Sequence, residues 1–495
     1  MADAKLTEPE IPRLAAGMWK RFLAAGVVIV FLTATATATA LLLQIKGVAD
    51  ELAKGRLPNT GGELTRADVS GPQTIMLLGS DHRATDPGKA GNSDTMMLVR
   101  LDPDKAATAL MSIPRDLKVD IPMPDGTYRY GQKVNAAYAM GGPRLALRTV
   151  KHVLGIPINH VIDLDFGGFR HAVDRVGCIY TDVDRRYYHS NADGGDVYAG
   201  IDIQPGYQKL CDYNALAYVR YRHTDTDIVR GARQQDFLRQ AKDQLSALKL
   251  FDDREALVRI FARYADTDIR GTTTVLGLAK LVAFSASHPI REVHFRAQLG
   301  PSFVNATRQD IQANVREFLN EDVARSGIAR PRKAPLARRR RIAPRRPTLP
   351  GGMERAGTEG ELQAIEAAPR VGFPVYYPTA QTAGAVYDQQ IRRYVVPDLA
   401  GRRHWAYRII LDKGSLGDFY GVEGTRWRDP PILAHPSGST TLNGRRFLLF
   451  ADGGRLRFVA WRTTRGAYWV SNTLTLALNN DQMLAVAAST RPIGR

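Results

Sequence analysis

Twenty residues from Tyr218 to Phe237, reading YVRYRHTDTDIVRGARQQDF, hold four arginines and three aspartates. Arginine presents a planar fork of donors that stays protonated at any ordinary pH, so Arg220, Arg222, Arg230 and Arg233 together suit a multiply charged anion. Asp225 and Asp227 suit the arginines themselves, or a cation. The same composition fits an exposed, salt-bridged helix, so its meaning depends on what else the fold brings to it.

Three further segments place charge where a strand should give way to a loop: Gly79-Ser80-Asp81-His82-Arg83, Asn92-Ser93-Asp94-Thr95 and Ser112-Ile113-Pro114-Arg115-Asp116. Open α/β sheets bind ligands at such strand ends, and glycine there lets a ligand approach the backbone. Gln132-Lys133-Val134-Asn135 opens a long helical pattern whose N-terminus favours anions.

Apolar runs position these residues. Thr74 to Leu78, Thr95 to Leu101, Ala107 to Ile113, Val161 to Leu164 and Cys178 to Val183 read as strands. Helical patterns cover Val134 to Leu154, Gly168 to Val176, Tyr213 to Tyr221, Gly231 to Leu250, a stretch through Phe284, and Thr307 to Leu319, with a strand at Arg291 to Phe295. Strands alternating with helices predict the α/β class, an α/β/α sandwich over residues 72–325.

The chain has 495 residues and is 44% hydrophobic, enough for two or three domains with proper cores. Phe22 to Leu43 runs 22 residues without a charge, long enough to cross a bilayer core of about 30 Å. Lys20 and Arg21 precede it, which puts residues 1–21 in the cytoplasm and everything beyond the span outside the cell membrane. A cleaved signal peptide ending near Ala36-Thr37-Ala38 competes with that reading, but Leu41 to Leu43 prolong the apolar run. Residues 44–71 read as a polar stalk.

Cys178 and Cys211 are the two cysteines, and outside the cell such a pair is expected to be bonded. They give no zinc signature. The net charge of +18 is not a nucleic-acid signal: nine positive charges, with no acidic residue, lie between Ser326 and Met353. That Arg/Pro-rich linker, 326–360, suits an anionic wall polymer or lipid headgroups, or serves as a tether. Residues 361–495 read as a small separate α+β domain of unassigned role, in which Trp405, Trp427, Trp461 and Trp469 read first as core and second as sugar platforms.

The succession GSDxR, SDTMMLV, SIPRD, KVNAAYA, ALAYVRYR and DTDIVRGARQQDF resembles the LytR-CpsA-Psr (LCP) family over about residues 72 to 320. The resemblance implies a membrane-anchored, magnesium-dependent phosphotransferase. Such an enzyme moves a glycopolymer from a polyprenyl-pyrophosphate carrier to peptidoglycan, forming a phosphodiester, typically at the muramic acid 6-hydroxyl. Carried over by motif, Asp81 and Asp94 bind Mg2+, and Arg83, Arg115, Lys133, Arg220, Arg222, Arg230 and Gln234 line the pyrophosphate site. Asp227 orients arginines or helps deprotonate the acceptor, and with Arg115, Arg230 and Arg233 makes the catalytic set. The lipid tail would occupy an apolar slot inside the sandwich. The alternatives are a polyprenyl-pyrophosphate phosphohydrolase, in which water replaces the sugar hydroxyl, a membrane-bound transcriptional or envelope regulator, and a wall-binding scaffold.

Overall fold

The computed structural model describes residues 62–80 (save 67, 69 and 70), 93–190 (save 106), 200–244, 254–286, 290–319 and 349–494 (save 415), together with 46, 47 and 50. Among these no helix is long and apolar enough to cross a membrane; Phe22 to Leu43 lies outside them.

Strands β1 (Gln73–Ser80), β2 (Ser93–Asp102) and β3 (Ala107–Ser112) form an antiparallel meander. A hairpin of β4 (Lys118–Pro122) and β5 (Tyr128–Lys133) leads into α1 (Ala136–Leu154), which kinks at Gly141-Gly142 ahead of Pro143, a residue with no N–H to give the helix ladder. Then come β6 (His160–Asp165), α2 (Phe166–Arg175), β7 (Ile179–Val183), β8 (Tyr187–His189), β9 (Ile201–Ile203) and β10 (Gly206–Leu210). Helices α3 (Asp212–Arg220) and α4 (Asp227–Gln244) follow, then α5 (Arg254–Tyr264), β11 (Ala265–Thr267), α6 (Thr272–Ala286), β12 (Ile290–Val293) and α7 (Arg308–Leu319).

The central sheet runs β11-β6-β1-β2-β3-β12 and is mixed, with β6 parallel to β1 and β12 parallel to β3. Alternation along β1 sends Met76 and Leu78 to one face, where Leu145, Leu147 and Val150 of α1 and Phe318 of α7 complete the core. Ile75 and Leu77 face the other way, toward Leu278 and Leu281 of α6. Helices therefore cover both faces, and the sheet's upper edge is left to the loops that carry the charged segments.

The C-terminal part corrects the expectation of a small separate α+β domain. It is mostly β: an eight-stranded antiparallel sheet whose strands include 403–412, 419–425, 455–462 and 467–471. Helices Glu359–Val371 and Asn480–Ser489 cover one face. The other face, with Tyr394, Trp427, Phe450, Phe458 and Trp469, closes over Tyr180 and Tyr207 of the first domain. A sheet buried on both faces carries unbroken apolar runs in its strands, as 447–451 (FLLFA) and 458–461 (FVAW) show. Structured chain begins before residue 360, since Met353–Arg355 pairs with Ala380–Thr382. Trp461 and Trp469 are core and Trp427 is buried, while Trp405 is exposed.

Candidate active site

Two hydrogen-bonded strand ends set the frame. Gly79 pairs with Thr95 and Ser80 with Ser93, with a bulge between, so the chain turns out of the sheet just where Asp94 sits. On the neighbouring strand, Ile113 N donates to Met96 O at 2.8 Å before the Pro114-Arg115-Asp116 turn. Helix α4 reaches this edge because Gly231 lies against Ser112; a Cβ on Gly231 would stand 3.0 Å from the Ser112 Cβ.

The side chains converge on Asp94. Arg115 Nη1 donates to its Oδ1 at 2.6 Å and Arg220 Nη2 to its Oδ2 at 3.0 Å. Arg220 reaches it from the end of α3 with its guanidinium 3.9 Å from the Phe166 ring centroid, which holds the fork flat. Asp227, the first residue of α4, accepts from the Arg115 backbone N–H and pairs with Arg230 one turn on. Lys133 Nζ lies 3.0 Å from Asp116 Oδ1, and Arg222 Nη1 3.7 Å from Asp116 Oδ2. Gln234 Nε2 bonds Thr95 Oγ1 at 2.9 Å and the Val219 carbonyl at 3.1 Å, tying α4 to β2 and α3.

Electrostatics separates the two central carboxylates. Burial alone would raise the Asp94 pKa, but Arg220, Arg230 and Arg115 outweigh it and hold the group below the ordinary carboxylate value. Burial raises that of Asp227, with Asp116 adding and Arg230 and Arg115 opposing. Arg230 is itself driven down by burial and by Arg115, Asp227 opposing.

Five cations, Arg115, Lys133, Arg220, Arg222 and Arg230, thus face three carboxylates, Asp94, Asp116 and Asp227. Among the described residues, the buried Nε–H groups of Arg115, Arg220 and Arg230 have no hydrogen-bond acceptor. Buried donors without partners are costly, and an anion lying among these three would satisfy them and the excess charge together. The donor set also fits magnesium. Asp94 is an ionised hard-oxygen ligand with lone pairs beyond the two its arginines use, and one or two carboxylates with substrate phosphates are the usual Mg2+ shell.

The LytR_cpsA_psr family model matches residues 40–320. The chain belongs to the LytR-CpsA-Psr family. Among LCP relatives, the polyisoprenyl-teichoic acid–peptidoglycan teichoic acid transferase TagV of Bacillus subtilis (strain 168) is 31% identical over 225 residues, 45% of this chain and 56% of TagV. TagU of Bacillus mycoides (strain KBAB4), likewise a polyisoprenyl-teichoic acid–peptidoglycan teichoic acid transferase, is 32% identical over 182 residues, 36% of this chain and 55% of TagU. The crystal structure of B. subtilis TagV aligns at 26% identity and a TM-score of 0.41, over 51% of this chain and 98% of that one. The chain spans about half the length of the curated relatives it matches.

Of the LCP residues expected at the site, the structure brings together Asp94, Arg115, Lys133, Arg220, Arg222, Asp227, Arg230 and Gln234. Asp81 and Arg83 lie outside the described residues. Arg233 departs from its expected catalytic place. Its side chain is fully buried, bonded to Asp225 Oδ2 at 2.6 Å and to the Tyr221 carbonyl, with the Tyr187 ring 4.6 Å away. Arg233 lies three residues on from Arg230, about 60° around the helix and one turn further along it, and there its guanidinium enters the core, where Asp225 and Arg185 close a buried ion network.

Sequence reading passed over Asp116, which bridges Lys133 and Arg222, although its place after Arg115 at a strand end carried the signal. Phe166 and Arg185 had no such signal, being remote in sequence from the residues they support. The expected disulfide is present, Cys178–Cys211 with Cα atoms 4.7 Å apart, and it fixes the start of the helix that ends in Arg220.

Proposed function

We propose that this LCP protein is a membrane-anchored phosphotransferase that moves a glycopolymer from a polyprenyl-pyrophosphate carrier to peptidoglycan. The observation that carries this reading is the ring of Arg115, Arg220 and Arg230 with acceptor-less buried Nε–H groups at the strand ends. A pyrophosphate diester carries two negative charges and suits a site where, among the described residues, cations outnumber carboxylates. The teichoic acid transferase activities of the TagV and TagU relatives support the same substrate class.

In the proposed reaction an acceptor hydroxyl oxygen forms a bond to the phosphorus next to the glycan, and the bond from that phosphorus to the bridging oxygen breaks. Polyprenyl monophosphate leaves, and the hydroxyl proton passes to solvent. Phosphoryl transfer is catalysed by positioning and charge stabilisation. Arg115, Arg220 and Arg230 line the diphosphate oxygens, and Lys133 and Arg222, both partly exposed, meet the entering substrate. Asp227, buried and tied to the Arg115 N–H and to Arg230, orients the arginines. Asp94, joined by Asp81, would hold magnesium, which supplies further counter-charge to the phosphates. Phe22 to Leu43 would anchor the chain with its N-terminus cytoplasmic and the folded domains outside.

Incubating the detergent-solubilised full chain with labelled lipid-linked glycan, peptidoglycan oligomers and Mg2+ tests the reading. A glycan–peptidoglycan conjugate with polyprenyl monophosphate is expected. Hydrolysis products alone, without a conjugate, would establish the phosphohydrolase instead. Protection of the folded domains from protease on intact cells would overturn the topology.

A further inference from the structure

Helix α4 has an unusual composition for its position. Twelve of its residues from Asp227 to Gln240 are buried, among them Arg230, Arg233, Gln234, Gln235, Asp236, Arg239 and Gln240. A helix enclosed on all sides is normally apolar. A polar one holds a single position only while each buried group keeps its partner. The first domain supplies partners for the N-terminal half, through Asp94, Thr95 and the Arg115 N–H. The C-terminal domain reaches the other half.

Arg457 Nη2 bonds Asp236 Oδ1 at 2.5 Å, two turns beyond Arg230, with both groups buried. Arg239, one turn further, bonds Asp236 at 2.8 Å and lies 3.4 Å from Asp452 Oδ2, and the Asp452 carboxylate accepts from the Glu292 backbone N–H at 3.1 Å. The strand beside α4 is gripped as well. Arg408 Nη1 and Trp469 Nε1 donate to Asp182 at 3.0 and 3.2 Å, while Gln240 accepts from the Asp182 N–H at 3.1 Å. At the other end of α4, Gly417 meets Val229, next to Arg230; a Cβ on Gly417 would stand 2.6 Å from a Val229 methyl. Phe419 stacks 5.2 Å from Arg185, the partner of Asp225.

We infer that the C-terminal domain is a positioning element for the pyrophosphate arginines, with Arg457 and the Gly417 turn setting where α4 places Arg230 and Gln234. At 1.5 Å per residue the Arg457 contact lies about 9 Å along the helix from Arg230. A displacement of about 1 Å at a site of this kind costs on the order of 10²-fold in rate. Arg457 and Gly417 touch no substrate in this reading, which rests on the proposed transferase function.

The test uses the full chain in detergent. Arg457→Ala should lower kcat for transfer at least about tenfold while moving the donor KM less than about threefold, and Arg457→Lys should recover most of the loss. Amide exchange over residues 227–237 should accelerate in Arg457→Ala. Should Arg457→Ala fail to fold, Gly417→Ala serves: it should lower kcat, and adding Val229→Ala should restore part of it, a recovery that the backbone strain of a side chain at the positive φ of Gly417 would not by itself allow. Wild-type kcat per folded molecule with unchanged exchange over 227–237 in Arg457→Ala, or strict additivity in the Gly417/Val229 cycle, would overturn the inference. Absence of transfer by the wild-type chain would defeat the proposed function, while the exchange measurement would still decide whether the C-terminal domain holds α4.

Discussion

Arg115 does two separable things: its backbone N–H holds Asp227 and its guanidinium holds Asp94. Arg115→Ala keeps the first and deletes the second, so it should fold and yet lose at least about 10²-fold in transfer rate, equivalent to about 2.7 kcal/mol. Steady-state kinetics with lipid-linked donor checks this, and a wild-type rate would remove Arg115 from the site. Asp227 supplies a pH test. Burial raises its pKa above the ordinary 3.8, Arg230 opposing and Asp116 adding, so on acidification it protonates before Asp94 and releases the arginines it orients. The acid limb of kcat/KM should therefore lie above 3.8. Asp116→Asn removes a repelling charge and should move that limb to lower pH; a limb that stays put or rises would show that another group titrates there. Arg233 marks the limit of reading residues singly. It has the type and spacing of a ligand arginine, on nearly the same helical face as Arg230, and the Asp225 carboxylate and Tyr221 carbonyl, whose positions the sequence does not give, draw it inward.

At the scale of elements, the strands were legible wherever burial on both faces left an unbroken apolar run, as in β1, β2, β3 and β7, each within a few residues of its expected bounds. Helix α4 was expected from Gly231 but starts at Asp227, because the Asp227–Arg230 pair closes the first turn and the Thr226 hydroxyl accepts from the Val229 N–H. The β4–β5 hairpin went unread: β4 alternates, with Val119 and Ile121 buried, but over only five residues, and the exposed Tyr, Arg, Gly and Lys residues of β5 bury too little to leave a period-2 signal. The disulfide belongs to this scale as well. Cys211 precedes α3 with no side-chain cap bond, so the bond to Cys178 and the Asp174 carboxylate on the Asp212 N–H fix the start of a helix that ends in Arg220. The cysteines stand 33 positions apart, for which the chain-entropy estimate is about 3.7 kcal/mol. Replacing both with serine should lower the unfolding free energy by about that amount in urea titrations, and dithiothreitol should then have no further effect. An unchanged midpoint would show that the bond contributes nothing to the native state.

For the whole molecule, the sequence marked two folded parts and a basic segment between them, but not that the parts share a core. The reason is physical: the groups that join them, Asp182, Asp236, Arg408, Glu423 and Arg457, are of the types that ordinarily face water, and only their partners across the seam keep them buried. Glu423 makes this measurable. It is fully buried, with Arg408 Nη1 at 3.7 Å and the Tyr394 hydroxyl donating to it, and burial pushes its carboxyl up to about 8, Arg408 opposing and Asp182 adding. In the unfolded chain the same group titrates near 4.5. Between those values the folded state holds a proton that the unfolded state has released, so the contribution of Glu423 to stability is greatest below about 4.5 and is lost as pH rises toward 8. Glu292, raised in the same way beside Arg239 and Asp452, adds to the slope. Glu423→Gln keeps a neutral hydrogen-bonding group of similar shape and removes the ionisation. Denaturant midpoints measured across this window should therefore fall less steeply with pH in the variant than in the parent, the remaining slope belonging to Glu292 and the other carboxyls that burial raises, Asp227 among them. Parallel curves would mean that Glu423 is already ionised in the fold, and that Arg408 rather than a proton neutralises it at the seam.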